Sequence, residues 1–298
     1  MHDVFDFFTS YSYLFYLVLL NVILALSVYI TLMAGQLSLA SIGFMAIGAY
    51  SSALLAMNVG LPYPLSMICA ALISGTIAVL VGMPVLRLKG IYLAITTVGF
   101  GELVRFIALN SDYLGGAMGL SGIPPATETW HLAVFLLILI YGFRTLQRSR
   151  HGRALVAIGR DEVAAKTMGI PTTQYKVAAF TAGAMMASVA GSFAAHHTAY
   201  LSPGEFTFTH AVLVLIFVVF GGLRNYWGPV LGAIVLTLLP EVFRFLHEWR
   251  MIIYGISVLL VVVFIPDGLL EFGRFFRHNR NKAGRSTSGP TASEAKLG

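Results

Sequence analysis

The feature that most constrains this chain is a succession of apolar runs, each near the length a helix needs to cross a bilayer. A hydrocarbon core about 30 Å thick takes about 20 apolar residues per spanning helix. Nine runs fit or come close: 14–33, 38–57, 65–82, 91–109, 132–147, 177–198, 209–222, 228–246 and 251–266. Several are short or broken by Gly and Pro, which lipid tolerates only where protein or a cavity surrounds the backbone. Over 298 residues, 57% are hydrophobic and 11% are charged, with mean hydropathy +0.81. A soluble domain carries about 25% charged residues. The expected fold class is therefore all-α, a polytopic transmembrane helical bundle of about nine spans (8–10). Residues 1–270 form the membrane domain. Residues 271–298 lack apolar periodicity and read as a basic, disordered tail.

The net charge of +6 fits a membrane protein better than a nucleic-acid binder, because Lys and Arg collect in cytoplasmic loops. The 144–176 stretch holds Arg144, Arg148, Arg150, Arg153, Arg160, Lys166 and Lys176. The tail holds Arg274, Arg277, Arg280, Lys282, Arg285 and Lys296. With both in the cytoplasm, four spans separate them, and Arg87, Lys89 and Arg224 are also inside. The N-terminus is then outside and the C-terminus cytoplasmic. The exceptions to the charge rule are Arg105, Arg244 and Arg250. MHDVFDFF carries Asp3 and Asp6 where the basic region of a cleavable signal peptide belongs, so none is expected.

Catalytic signatures are missing. The sequence contains no G-x-x-x-x-G-K-[ST] phosphate loop, no H-E-x-x-H zinc motif and no G-x-S-x-G elbow. His196 and His197 are adjacent, so on a helix they project about 100° apart and make no i,i+4 metal pair. Cys69 lies in an apolar run and reads as a small hydrophobe. No catalytic residue, metal site or bound cofactor is expected. A stand-alone secondary transporter would carry intramembrane ionisable groups for ion coupling. Only Glu102 lies well within a span, with Arg105 three residues on.

The loop at 148–176 is more ordered than a generic basic loop. A short helix fits 153–168, with Asp161 and Glu162 near its middle, Gly169 as a C-terminal cap and Pro171 after the stop. It reads as a helix lying flat beneath the membrane. Ala164 and Ala165, followed by Gly169, resemble the EAA loop of ABC importer permeases. Val163 takes the Glu position and Glu162 comes one residue early, a departure shared by the branched-chain amino-acid subgroup. GQLSLASIGFMAIGAY (35–50), RLKGIYLAITTVGFGELVR (87–105), YLGGAMGLSGIP (113–124), FGGLRNYWGPVLGA (220–233), LPEVFR (239–244) and IPDGLL (265–270) resemble further blocks of that family in order. The chain thus resembles the LivM-type permease subunits of branched-chain amino-acid ABC importers over about residues 14–270.

The resemblance implies a bacterial inner-membrane subunit that passes leucine, isoleucine or valine into the cytoplasm. Relatives serving urea, short amides or aromatic acids leave those solutes open. It implies a second related permease, two ATP-binding subunits that use ATP and Mg, and a periplasmic binding protein. It also implies that Asp161, Glu162, Val163, Ala164, Ala165 and Gly169 form a coupling helix seated on the ATPase, with Asp161 and Glu162 as polar contacts.

Other residues are singled out by physics alone. Gln36, Ser38 and Ser41 lie in a polar break between two apolar runs, and such breaks mark either tight turns or solute paths. Thr96, Thr97, Gly99 and Gly101 extend that candidate path. Gly183, Ala187 and Gly191 place small residues on one stripe, and Gly228 and Gly232 repeat the device, which suits close helix packing. Glu102 with Arg105, and Glu241 with Arg244, read as ion pairs at the outer rim. Together with Arg250, the two arginines are alternatively docking points for a binding protein.

Overall fold

A computed structural model describes residues 2–242 and residue 255. The described chain is helical throughout, apart from short connections and one two-stranded ribbon. Its helices are α1 (His2–Met33), α2 (Ser41–Asn58), α3 (Tyr63–Val85), α4 (Ile91–Asn110) and α5 (Thr129–Arg148). They continue as α6 (Arg150–Arg160), α7 (Glu162–Thr167), α8 (Thr172–Thr198), α9 (Phe208–Gly221) and α10 (Trp227–Val242). Strand β1 (Leu120–Ser121) pairs antiparallel with β2 (Tyr200–Leu201).

Of these, α1, α2, α3, α4, α5 and α8 are long and apolar enough to cross a membrane. The expected runs at 209–222 and 228–246 are the shorter helices α9 and α10. Both bounds of α9 are set locally. Thr207 accepts from the His210 amide at its start, and Gly222 takes φ +94° at its end. Apart from residue 255, the run 251–266 lies outside the described residues, as does the tail 271–298. The expected nine spans therefore resolve, among the described residues, into six long helices and two short ones.

Helix α8 is the axis of the bundle and packs most extensively on α2, then on α3 and α1. Lipid offers no hydrophobic drive for helix association, so close backbone approach and interhelical hydrogen bonds do that work. A Cβ on Gly191 would stand 2.0 Å from the Met45 carbonyl oxygen of α2. One on Gly183 would stand 2.6 Å from that of Ser27 in α1. Ala187, between them, is fully buried. Ser188 Oγ donates to the Ala70 carbonyl at 3.1 Å, tying α8 to α3. The same device joins α9 to α10, where Gly232 and Gly228 face the carbonyls of Phe217 and Gly222. By contrast, α4 and α5 are mostly exposed, and their outer faces carry residues such as Tyr92, Leu103, Leu137 and Tyr141.

The connections sort into two ends. One end carries the α1–α2 turn, the α3–α4 connection and the α6–α7 segment, brought together by contacts described below. The other carries residues 111–128 and the α8–α9 connection, joined by the β1–β2 ribbon.

Candidate functional site

At the basic end, the segment between α5 and α8 forms two helices where the sequence suggested one. The break falls at Asp161, whose backbone is extended (φ −152°, ψ 103°) and whose Oδ1 accepts from the amides of Val163 and Ala164. An Asp side chain competes well for free amides, so it starts a second helix in preference to continuing the first. Asp161 thereby serves as the N-cap of α7 through Oδ1 and remains exposed.

Helix α6 buries Gly152, Leu155 and Ile158 and turns Arg150, Arg153 and Arg160 outward. Its Gly159 lies directly against the α1–α2 turn. A Cβ there would stand 2.5 Å from the Met33 carbonyl oxygen, and one on Gly35 would stand 3.0 Å from Gly159 Cα. Only glycine at both positions permits this approach, and Gly35 also holds φ +72°.

Helix α7 buries Ala165 but exposes Ala164, and it leaves Val163 67% and Met168 83% exposed. Gly169, at φ +78°, has open space on its Cβ side. Glu162 faces inward. Its Oε2 accepts from Lys176 Nζ at 2.7 Å and lies 3.9 Å from Lys89 Nζ, while its Oε1 lies 3.0 Å from Lys166 Nζ. These ammonium groups, the hydrogen bond from Lys176 foremost, lower its pKa to about 2. Of the two carboxylates expected as polar contacts, Glu162 is engaged by lysines of this chain, whereas Asp161 caps α7 and stays exposed.

Residues 34–40 leave helical form, as the polar break suggested. Leu39 N donates to Thr97 Oγ1 at 3.0 Å, which fastens the break to α4. Gln36 is 1% exposed, and among the described residues neither of its amide atoms finds a partner. Ser41 Oγ is likewise buried and unpartnered. Ser38 and Ser41 line a small cavity with Ser27, Thr31, Phe180 and Gly183. Gly101 meets α2 at Gly43, where a Cβ would come within 2.9 Å of Gly101 Cα. Gly101 also borders a second cavity with Leu39, Glu102 and Thr207. Thr96 bonds within its own helix, to the Tyr92 carbonyl, and Gly99 is exposed. The break, Thr97 and Gly101 therefore form one neighbourhood, and Thr96 and Gly99 stand outside it.

At the other end, Glu102 Oε2 accepts from Arg105 Nε at 2.8 Å. Its Oε1 accepts from the Phe208 amide, so a carboxylate sits at the N-terminus of α9, where the helix dipole favours it. Arg105 is thus committed within the chain. Glu241 lies in the last turn of α10, and Arg244 and Arg250 lie outside the described residues.

The glycine-rich 113–124 segment is fastened over α8. His196 Nδ1 donates to the Pro124 carbonyl at 3.0 Å, leaving Nε2 to accept from Ser52 Oγ. His197 stacks on Tyr16 with ring centroids 3.9 Å apart. Both histidines hold structure together. Among the described residues, no group of three or more His, Cys, Asp or Glu could hold a metal. Sequence reasoning missed the Glu162 contacts with Lys89 and Lys176 and the Gly35–Gly159 contact, since each joins separate segments, and it also passed over Lys166, which i,i+4 spacing shows.

The bundle of long apolar helices defines a polytopic α-helical membrane protein. The family described as "Branched-chain amino acid transport system / permease component" matches residues 10–263, and the chain belongs to it. It is 35% identical, over 86% of its length and 67% of the relative's, to the high-affinity branched-chain amino acid transport system permease protein LivM of Salmonella typhimurium. The Escherichia coli protein of that name is 34% identical over the same shares. The autoinducer 2 import system permease protein LsrC of an Enterobacter strain is 27% identical over 77% of this chain and 73% of its own. No solved structure matches.

Proposed function

We propose that this chain is a membrane-spanning subunit of an ATP-driven importer that moves leucine, isoleucine or valine into the cytoplasm. One observation carries the reading. A helix pair projects from the basic end with Val163 and Met168 bare at its tip, and its other side rests on the helical break at 34–40. A partner that grips α7 would therefore act directly on the break. The partner is a pair of cytoplasmic ATP-binding subunits, which bind the nucleotide and Mg; this chain binds neither. A second permease completes the pore and a periplasmic protein delivers the solute. ATP binding shifts the population between inward- and outward-open arrangements only to the extent that the ATPase holds one of them more tightly.

Few charged groups line the break, which suits a zwitterion that must leave as readily as it enters. The LivM relatives favour branched-chain amino acids. The likeness to LsrC supports a second reading in which the same machinery carries another small polar solute. In this orientation the basic end and the C-terminus are cytoplasmic and the N-terminus is periplasmic, as the positive-inside rule requires.

The test is purification from native membranes in mild detergent, followed by uptake in proteoliposomes. Co-purification of a second permease and ATPases, with leucine uptake that needs ATP and the binding protein, is the expected result. Uptake by this chain alone without nucleotide would replace the importer with a secondary transporter.

A further inference from the structure

We infer that Glu162 and Lys176 form the joint through which movement of the α6–α7 pair reaches α8, and that Glu162 is a positioning residue inside this subunit and not a contact for the ATPase. The inference deepens the proposed function and rests on it, because it takes α7 as the element that the ATPase grips.

The geometry points inward. Both oxygens of the Glu162 carboxylate are occupied, by ammonium groups from three segments. Lys166 belongs to α7 itself, Lys89 to the α3–α4 connection and Lys176 to the second turn of α8. The three pairs differ in what they can transmit. Lys89 is 73% exposed at 3.9 Å and Lys166 is 54% exposed at 3.0 Å, so water and salt weaken both. Lys176 is 12% exposed at 2.7 Å, and separating it from Glu162 would strand a largely buried charge. Only this pair is both sheltered and directed from α7 to a long helix of the core.

A covalent link alone does not serve. The connection from α7 to α8 passes through Gly169, exposed, at φ +78° and with open space on its Cβ side, and the amides of Gly169 and Ile170 bond back only to α7. Such a segment can act as a hinge, letting α7 swing without moving α8. The Glu162–Lys176 pair closes across that hinge. On the far side of the unit, the Gly159–Gly35 contact seats α6 on the α1–α2 turn. His151 Nδ1 of α6 also lies 3.1 Å from Tyr175 Oη of α8, so α6 has its own tie to that helix, and the Glu162–Lys176 pair is what joins α7 to it.

The experiment compares two lysines that share one carboxylate. The complete importer, with its second permease, ATPases and binding protein, is reconstituted in proteoliposomes. Leucine uptake and ATP hydrolysis are read on the same vesicles, per assembled complex, so partial loss of assembly cancels from their ratio. Lys176→Met and Lys166→Met each leave Glu162 with two lysines. Lys176→Met is expected to lower leucine carried per ATP about tenfold while stimulated hydrolysis changes less than about twofold. Lys166→Met should leave the ratio near that of the unaltered complex, and Lys176→Arg should restore it. Equal effects of the two methionine variants, or an unchanged ratio in Lys176→Met, would overturn the joint. So would a Glu162→Gln complex that loses hydrolysis while Lys176→Met works normally, because Glu162 would then be touching the ATPase. If the unaltered complex shows no ATP-dependent uptake of leucine or any other solute, the importer reading itself fails, and the joint with it.

Discussion

Single residues decide how the basic end is seated. Gly159 has no room for a side chain, because its Cβ position is 2.5 Å from a backbone oxygen that cannot rotate away. Gly159→Ala is expected to cost about 1–3 kcal/mol in stability, the range for overpacking a tight contact. Gly99→Ala is the control, since a Cβ there meets nothing within 4 Å. It should be neutral or gain up to about 1 kcal/mol from helix propensity. Thermal unfolding in detergent measures both.

Glu162 gives a pH signature with a definite sign. Its folded pKa, about 2, is below its ordinary 4.5. The contribution to stability is therefore complete above pH 4.5 and disappears as pH falls toward 2. Glu162→Gln should be less stable than the native chain at neutral pH, and the gap should close across that interval. A gap independent of pH would show that the carboxylate charge is not what holds the segment.

At the scale of the element, the segment between α5 and α8 shows how one side chain redirects a helix. Its apolar spacing allowed a continuous helix over 153–168, but Asp161 finds two amides to cap, and the chain turns there. The turn swings Glu162 toward Lys176 and leaves Val163 and Met168 bare. A test of coupling must respect this. Ala165 is buried, so Ala165→Arg would damage the subunit itself. Ala164 is exposed, and Ala164→Arg should abolish ATP-dependent uptake while the protein still inserts and folds. Normal uptake in Ala164→Arg would remove α7 from the coupling role. A bulky residue at Gly169 would be a poorer test, because φ +78° is strained for any L side chain and the backbone would change along with the surface.

Across the whole molecule, the two ends differ in chemistry as well as in position. The basic end gathers Arg148, Arg150, Arg153 and Arg160 in exposed positions. The opposite end is closed by the β1–β2 ribbon and the His196 and His197 contacts. With Cys69→Ser as background, Tyr113→Cys should react with an impermeant thiol reagent in intact cells, and Arg153→Cys only after the membrane is opened. The reverse pattern would invert the orientation. The exposed faces of α4 and α5 make sense in the same frame, since a bilayer or a second permease covers apolar surface that water could not.

Apolar run lengths by themselves determined the helical class, and the small residues at 183, 187, 191, 228 and 232 marked close approach without saying to what. Both follow from local rules, because the bilayer demands internally satisfied backbone and the period of a helix is fixed. The polar break at 35–41 was legible for the same reason, since Gly, Gln and Ser interrupt an apolar pattern wherever they occur. Partners were not legible. That Gly159 would meet Gly35, that Thr97 would hold Leu39, and that the Glu162 carboxylate would gather Lys89 and Lys176 depend on which helices lie side by side. Sequence spacing carries no such information. Only the tertiary structure brings together groups that are remote in the chain, and there a sheltered Lys176 meets Glu162 at 2.7 Å, so that loss of either partner would strand the other's charge.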